Sequence, residues 1–253
     1  PPRVPADATA PETRYRLDGV RVDSTALQAY CHATGQRFGG TLPLTYPFVL
    51  QFPVVMKLMT SDEFPFGAVG SVHMTNTIER SRPIEVGEPL DIVTHAQNLR
   101  EHRKGILIDV VSEIRVGSEL VTTQTATFLK QQRTSLSDEP RGPEPKSKTP
   151  PPPDAILAVD LKRIREYAAA SGDRNPIHLH PLSAKLFGMP GAIAHGMWVK
   201  ARCLAQLEGL LPEGHVSEVA FKAPLVVPAK VAFSDRAEKG GARSFGVHDA
   251  RKG

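Results

Sequence analysis

The chain has 253 residues, a mass of 27.5 kDa, 40% hydrophobic and 23% charged residues, and a formal net charge of +4 with a pI near 9.1. That composition is ordinary for a globular protein, and no apolar run approaches the ~18 residues that a membrane-crossing helix needs. The basic residues are scattered, with neither an aromatic RNA-binding strand nor a zinc spacing beside them, so no nucleic-acid partner is expected; the mild positive balance suits an anionic small ligand such as a phosphorylated carrier.

The opening residues, Pro1 to Arg14, contain no apolar signal region, and Cys31 and Cys203 match no metal spacing. Two buried thiols in a cytoplasmic protein are the expectation. The first recognisable feature is Tyr30 followed by Thr34-Gly35. An apolar stretch then runs from Thr45 to Met59, with a helical segment expected around Pro53–Met59. Strands are expected at Val72–Ile78, Leu90–Asn98, Ile106–Val116 and Leu120–Leu129, with turns at Gly87-Glu88 and Val116-Gly117-Ser118. Residues 139–153 read EPRGPEPKSKTPPPP. Seven of them are Pro and none is a large apolar residue, so the segment is read as an extended, solvated linker.

Beyond it the pattern recurs. Tyr167 precedes Ser171-Gly172 as Tyr30 precedes Thr34-Gly35, at an offset of 137 residues. Pro224-Leu225-Val226-Val227-Pro228 echoes Pro83-Ile84-Glu85-Val86-Gly87 at an offset of 141. The shared order points to a duplication. Met197, Ala201, Leu204, Leu207 and Leu211 have helical spacing, which predicts a helix over Gly196–Leu211 stopped by Pro212 and Gly214. Strands are expected at Val216–Phe221, Ala229–Ser234 and Ala242–His248. A long helix on an antiparallel sheet, made twice, is an α+β arrangement. The expected division is residues 1–138, a linker at 139–153, and residues 154–253. The second copy ends sooner than the first, and its last strand is expected to be missing.

Between Tyr167 and Gly196 the sequence is YAAASGDRNPIHLHPLSAKLFGMPGAIAHG. Asp173 and His178 flank Asn175-Pro176, a pair that favours a tight turn and aims both side chains at one point. A carboxylate and an imidazole sharing one water supply general acid–base chemistry. Gly196 opens the following helix. Its amide has no partner within the helix, the helix dipole adds positive potential there, and the missing side chain lets a ligand oxygen approach. Alone, Asp173 would be read as a turn residue, His178 as a packed imidazole and Gly196 as a helix start. Tyr167 is read as a packing residue, Ser171 as a loop-backbone partner, His195 as holding the helix start, and His180 as lying beside the site or on the surface.

The segment resembles the signature of the MaoC-like family, the R-specific enoyl-CoA hydratases. Ser171, Gly172, Asp173, Asn175, Pro176, His178, Ala184, Gly188, Pro190, His195 and Gly196 all fall in place, and His180 departs from the usual Asp. The resemblance implies a double hot dog fold, two units each with a long central helix wrapped by antiparallel sheet, forming a pseudo-dimer within one chain and compatible with a homodimer. It implies Asp173, His178 and the Gly196 amide as catalytic groups, with Asn175, Ser171 and His195 as substrate-binding neighbours. It implies reversible hydration of a trans-2-enoyl-CoA to the (R)-3-hydroxyacyl-CoA in fatty acid metabolism, with coenzyme A as part of the substrate and no metal or redox cofactor. Dehydration on an acyl carrier protein, thioester hydrolysis and non-catalytic acyl binding are the rival readings. At an offset of 137, Asp173 maps onto Gln36 and His178 onto Thr41, so the first half is expected to carry no acid–base pair; its apolar run Thr45–Met59 is a candidate wall for the acyl pocket, with most of those residues expected to be core.

Overall fold

The computed structural model describes residues 3–5, 7–139 and 151–250. Most of the expected linker, 140–150, lies outside the described residues.

Each half starts alike. Strand β1 (Tyr15–Val20) leads into helix α1 (Ser24–Thr34), and β6 (Ala155–Val159) leads into α3 (Leu161–Ser171). Asp23 caps α1 by accepting from the Ala26 amide, and Asp160 caps α3 by accepting from the Arg163 amide. Such a cap stabilises a helix by about 1 kcal/mol. Both helices end on a glycine in the left-handed region, Gly35 at φ 72° and Gly172 at φ 77°, where a side chain would be strained. Asp23 and Asp160, like the two glycines, stand 137 residues apart, so the duplication extends to the helix caps.

The halves then diverge. The first passes directly into α2 (Tyr46–Met59). The second inserts two short helices, α4 (Pro176–Leu179) and α5 (Pro181–Leu186), before α6 (Gly196–Ala205). Helix α6 is shorter than its apolar spacing predicts. Beyond Ala205 the amides of Gln206, Leu207 and Leu210 turn to carbonyls three residues back, and Gly209 adopts φ 79°. The chain thus tightens into turns, and only the first part of the predicted span is α-helical.

Strands β2 (Ser71–Arg80), β3 (Leu90–His102), β4 (Gly105–Val116) and β5 (Glu119–Gln131) complete the first half; β7 (His215–Ala220), β8 (Ala229–Ala237) and β9 (Arg243–Asp249) belong to the second. The larger sheet runs β1-β3-β4-β5-β2-β7, and a second sheet runs β6-β8-β9, all antiparallel. The β2–β7 ladder pairs Asn76 with Val219 and Ile78 with Ser217, which stitches the two halves along their backbones. In the first half β5 pairs with both β4 and β2. Between β9 and β7, the matching positions of the second half, no strand lies among the described residues.

One apolar core spans both halves. Leu27 and Tyr30 of α1, Ile164 and Tyr167 of α3, and Met197, Trp198 and Ala201 of α6 are buried in it together. Tyr30 and Tyr167, equivalent by the repeat, touch with ring centroids 5.8 Å apart. The Trp198 indole donates to the Ala33 carbonyl across the halves at 2.8 Å. Each such side chain contributes about 1.5–3 kcal/mol by leaving water, so the sequence halves share one folded body. Cys31 and Cys203 are buried free thiols. Among the described residues no helix is long and apolar enough to cross a membrane.

Candidate active site

The site lies on the inserted segment and the start of α6. Helix α3 stops at Gly172, so Asp173 leaves it on a sharp bend. The bend is held from three sides. The Ser171 hydroxyl accepts from the Asp173 amide at 3.3 Å, the Asn175 amide donates to Asp173 Oδ1 at 3.2 Å, and His195 Nε2 donates to the Asp173 carbonyl at 2.9 Å. Asn175 then caps α4 by accepting from the Ile177 amide, with Pro176 in the first turn. His178 follows one turn later.

His178 is buried, and its Nδ1–H donates to the Ile193 carbonyl at 2.8 Å. That bond fixes the ring and leaves Nε2 as the free nitrogen. The Ile177 carbonyl in turn accepts from the Ile193 amide, so α4 is clipped to the strand-like stretch before α6. Burial pushes the His178 pKa below its ordinary value, opposed by the nearby Asp173 carboxylate and the bond to Ile193. Near neutral pH the ring is therefore an uncharged base.

Donor atoms of Asp173, His178 and His195 lie within 4.8 Å of one another. Two hydrogen bonds of about 2.8 Å that meet at a tetrahedral angle span about 4.6 Å. A separation within that limit is compatible with one water shared between the Asp173 carboxylate and the His178 imidazole. Such a triad is also a potential metal-ligand set, and two features of its geometry count against that use. The rings of His178 and His195 are stacked, with centroids 3.6 Å apart and planes 27° from parallel. Stacked imidazoles direct their in-plane lone pairs side by side, not at one ion. His195 Nε2 is also committed to the Asp173 carbonyl. The triad fits a water and a proton better than a metal.

His195 is 3% exposed, packs against Tyr167 at 4.9 Å, and occupies the N-cap position of α6 without a side-chain cap bond. Burial, and the stacked His178 next, drive its pKa well down, so its 3.9 Å approach to Asp173 Oδ2 is not an ion pair near neutral pH. Gly196 is the first residue of α6, with its amide at the positive end of the helix. A Cβ built on Gly196 would stand 3.0 Å from the Phe221 ring. A side chain here would press on that ring, so packing favours the glycine.

The structure gathers Asp173, His178, His195 and Gly196 into one place. Ser171, Asn175 and His195, expected beside the substrate, bind the loop's own backbone. His180 caps α5, its Nδ1 accepting from the Leu182 amide, and is exposed. Phe52 of α2, within the apolar run expected as a candidate wall, lies 3.6 Å from where a Gly172 Cβ would stand. Other residues were missed. His73 of β2 packs against Phe128, Phe221 and Phe48 with its Nε2 unpartnered. Burial and the charge of Lys200 push its pKa down to about 4. The first half thus packs against the segment that carries the site, and nothing local in its sequence marks the contacts of His73. Lys200, buried on α6, carried a legible signal: a lysine on the apolar face of an amphipathic helix.

A mixed sheet-and-helix body of this kind, with a loop-borne carboxylate and imidazole facing a helix N-terminus, defines a hot dog hydro-lyase. Residues 143–242 match the MaoC like domain. The chain is 45% identical over 228 residues to 3-hydroxyacyl-thioester dehydratase X of Mycobacterium tuberculosis, covering 90% of this chain and 81% of that protein. The crystal structure of HtdX from the same organism superposes with a TM-score of 0.84 at 39% identity, over 95% of both chains. A MaoC-like dehydratase from Phytophthora capsici shares the fold, with a TM-score of 0.78 at 18% identity over 97% of this chain and 92% of that one. The chain belongs to the MaoC-like dehydratase family.

Proposed function

We propose that this chain is a hydro-lyase of fatty acid metabolism that interconverts a trans-2-enoyl thioester and the (R)-3-hydroxyacyl thioester. One observation carries the reading: ligand atoms of Asp173, His178 and His195 lie within 4.8 Å of one another, close enough to share a water, beside the N-terminus of α6. That water donates to the Asp173 carboxylate and to His178 Nε2. As its oxygen attacks the β-carbon, it gives up a proton to this pair. The thioester oxygen becomes enolate-like and is stabilised by the Gly196 amide. A proton delivered to the α-carbon completes hydration, and the reverse order gives dehydration.

The chemistry is proton transfer plus oxyanion stabilisation, for which no metal or redox group is needed; coenzyme A enters as part of the substrate. The buried thiols of Cys31 and Cys203 suit a reducing cytoplasm. In this reading the first half is a non-catalytic wall, with one active site per chain. The test follows the absorbance of a conjugated enoyl thioester on coenzyme A and on acyl carrier protein, with free thiol measured in parallel. Loss of conjugation without thiol release is the expected result. Thiol release at the same rate would make the chain a thioesterase, and no change with either carrier would leave only acyl binding.

A further inference from the structure

Lys200 stands where the pattern of α6 asks for an apolar residue. Met197, Ala201 and Leu204 on the same face are buried, and Lys200 itself is 1% exposed. An ammonium that leaves water must satisfy three N–H donors. Here Nζ donates to Asn76 Oδ1 at 2.8 Å, to the Asn76 carbonyl at 3.1 Å and to the Ser217 carbonyl at 2.9 Å. All three acceptors are uncharged. The charged or titratable groups within electrostatic reach are Glu218, exposed on β7, His73 on β2 and His215 on β7. Burial holds the Lys200 pKa down to about 7, with Glu218 opposing.

The three acceptors sit on two strands. Asn76 belongs to β2 of the first half and Ser217 to β7 of the second, and these strands form the ladder that joins the halves. Lys200 follows Gly196 by four residues, which places it one turn along the same face of α6. We infer that Lys200 is a positioning residue for the reaction: its ammonium pins α6 to both sides of the β2–β7 seam and so fixes where the Gly196 amide meets the developing oxyanion. An apolar side chain fills the same space without holding the helix in register with either strand. This inference rests on the function proposed above.

The experiment compares Lys200→Met with the parent full-length chain in steady-state hydration of an enoyl-CoA. We expect kcat to fall at least tenfold, while KM and the affinity for the saturated analogue butyryl-CoA stay within threefold. A ground-state carbonyl asks less of the amide than an enolate does. Asn76→Ala removes one acceptor and leaves the ammonium and both carbonyls; kcat should fall by a smaller factor in the same pattern. The double variant should be no slower than Lys200→Met alone, because both act through one network. A folded Lys200→Met with kcat within twofold of the parent overturns the inference, as does a loss seen only in KM and analogue affinity. If Lys200→Met does not fold, an unchanged kcat in Asn76→Ala overturns it. Asp173→Asn runs alongside. If that variant keeps turnover, the proposed function fails; if it is dead while Lys200→Met is active, only the role of Lys200 fails.

Discussion

The two halves solve the same local problem with different residues. Where the second half has Asp173, the first has Gln36; where His195 stands just before α6, Thr45 stands just before α2; where Gly196 opens its helix, Tyr46 opens the other. In the first half the network is closed. The Tyr30 hydroxyl donates to Thr45 Oγ1 at 2.8 Å, and Thr45 donates to Gln36 Oε1 at 3.0 Å. The Tyr46 ring packs against Tyr30 at 5.1 Å. The Tyr30 and Thr45 hydroxyls there both donate to neutral partners, and an aromatic ring opens the helix where the second half has a glycine. In the second half the same cradle holds the Asp173 carboxylate and a helix that opens on a glycine. The difference teaches that one backbone cradle accepts either a closed neutral network or a carboxylate, and under the function proposed above only the second serves the reaction.

The comparison breaks first at the acid–base pair. Asp173→Asn and His178→Ala should each lower kcat about 10²–10⁴-fold, with circular dichroism and melting temperature close to the parent. Near-full turnover in either would remove the distinction between the halves.

Gly196→Ala should come next. Its methyl would press on the Phe221 ring at 3.0 Å, displacing the amide. A lost oxyanion donor costs about 10²–10³ in kcat, and Phe221→Leu in the same chain should recover part of it in the same assay.

A third test uses pH. The pKa values of His73, His178 and His195 all lie below 6.5 in the folded protein. The unfolded chain then binds more protons than the folded one. The stability they confer is full above about pH 6.5 and is lost as pH falls through the folded values. Melting temperature should drop between pH 7 and 5, and His73→Phe should flatten that drop. A flat profile in the parent would contradict the burial of these rings. The acid limb of kcat/KM should likewise fall below pH 6.5.

The smallest effect is expected at Gln36→Ala. It should leave turnover within twofold and cost about 1–3 kcal/mol of stability, as the Thr45 hydroxyl loses its buried acceptor. A large kcat loss would mean that the first half does more than form a wall.

Much of this was legible in the sequence. The repeat, the strands and the cluster from Ser171 to Gly196 follow from local patterns, because turns, caps and periodicity are local physics. Alignment by constant offset went astray at one place. Thr41 forms a bridge with Glu85, and the matching bridge in the second half joins Ile193 to Val226. Thr41 is therefore the counterpart of Ile193, not of His178. His178 lies in the inserted α4 and has no equivalent in the first half. Strands β1 and β6 went unread because each is short and flanked by polar residues. The contacts of Phe221 and His73 with the site were hidden because they depend on how β2 meets β7, a pairing that no stretch of sequence announces.

That pairing of β2 with β7 makes the site a joint possession of two stretches that a single backbone keeps at high mutual concentration. Severing the backbone within 139–153 would turn turnover into a second-order property of two fragments. Specific activity would then decline on dilution and return on reconcentration, whereas the intact polypeptide would keep the same specific activity at every dilution.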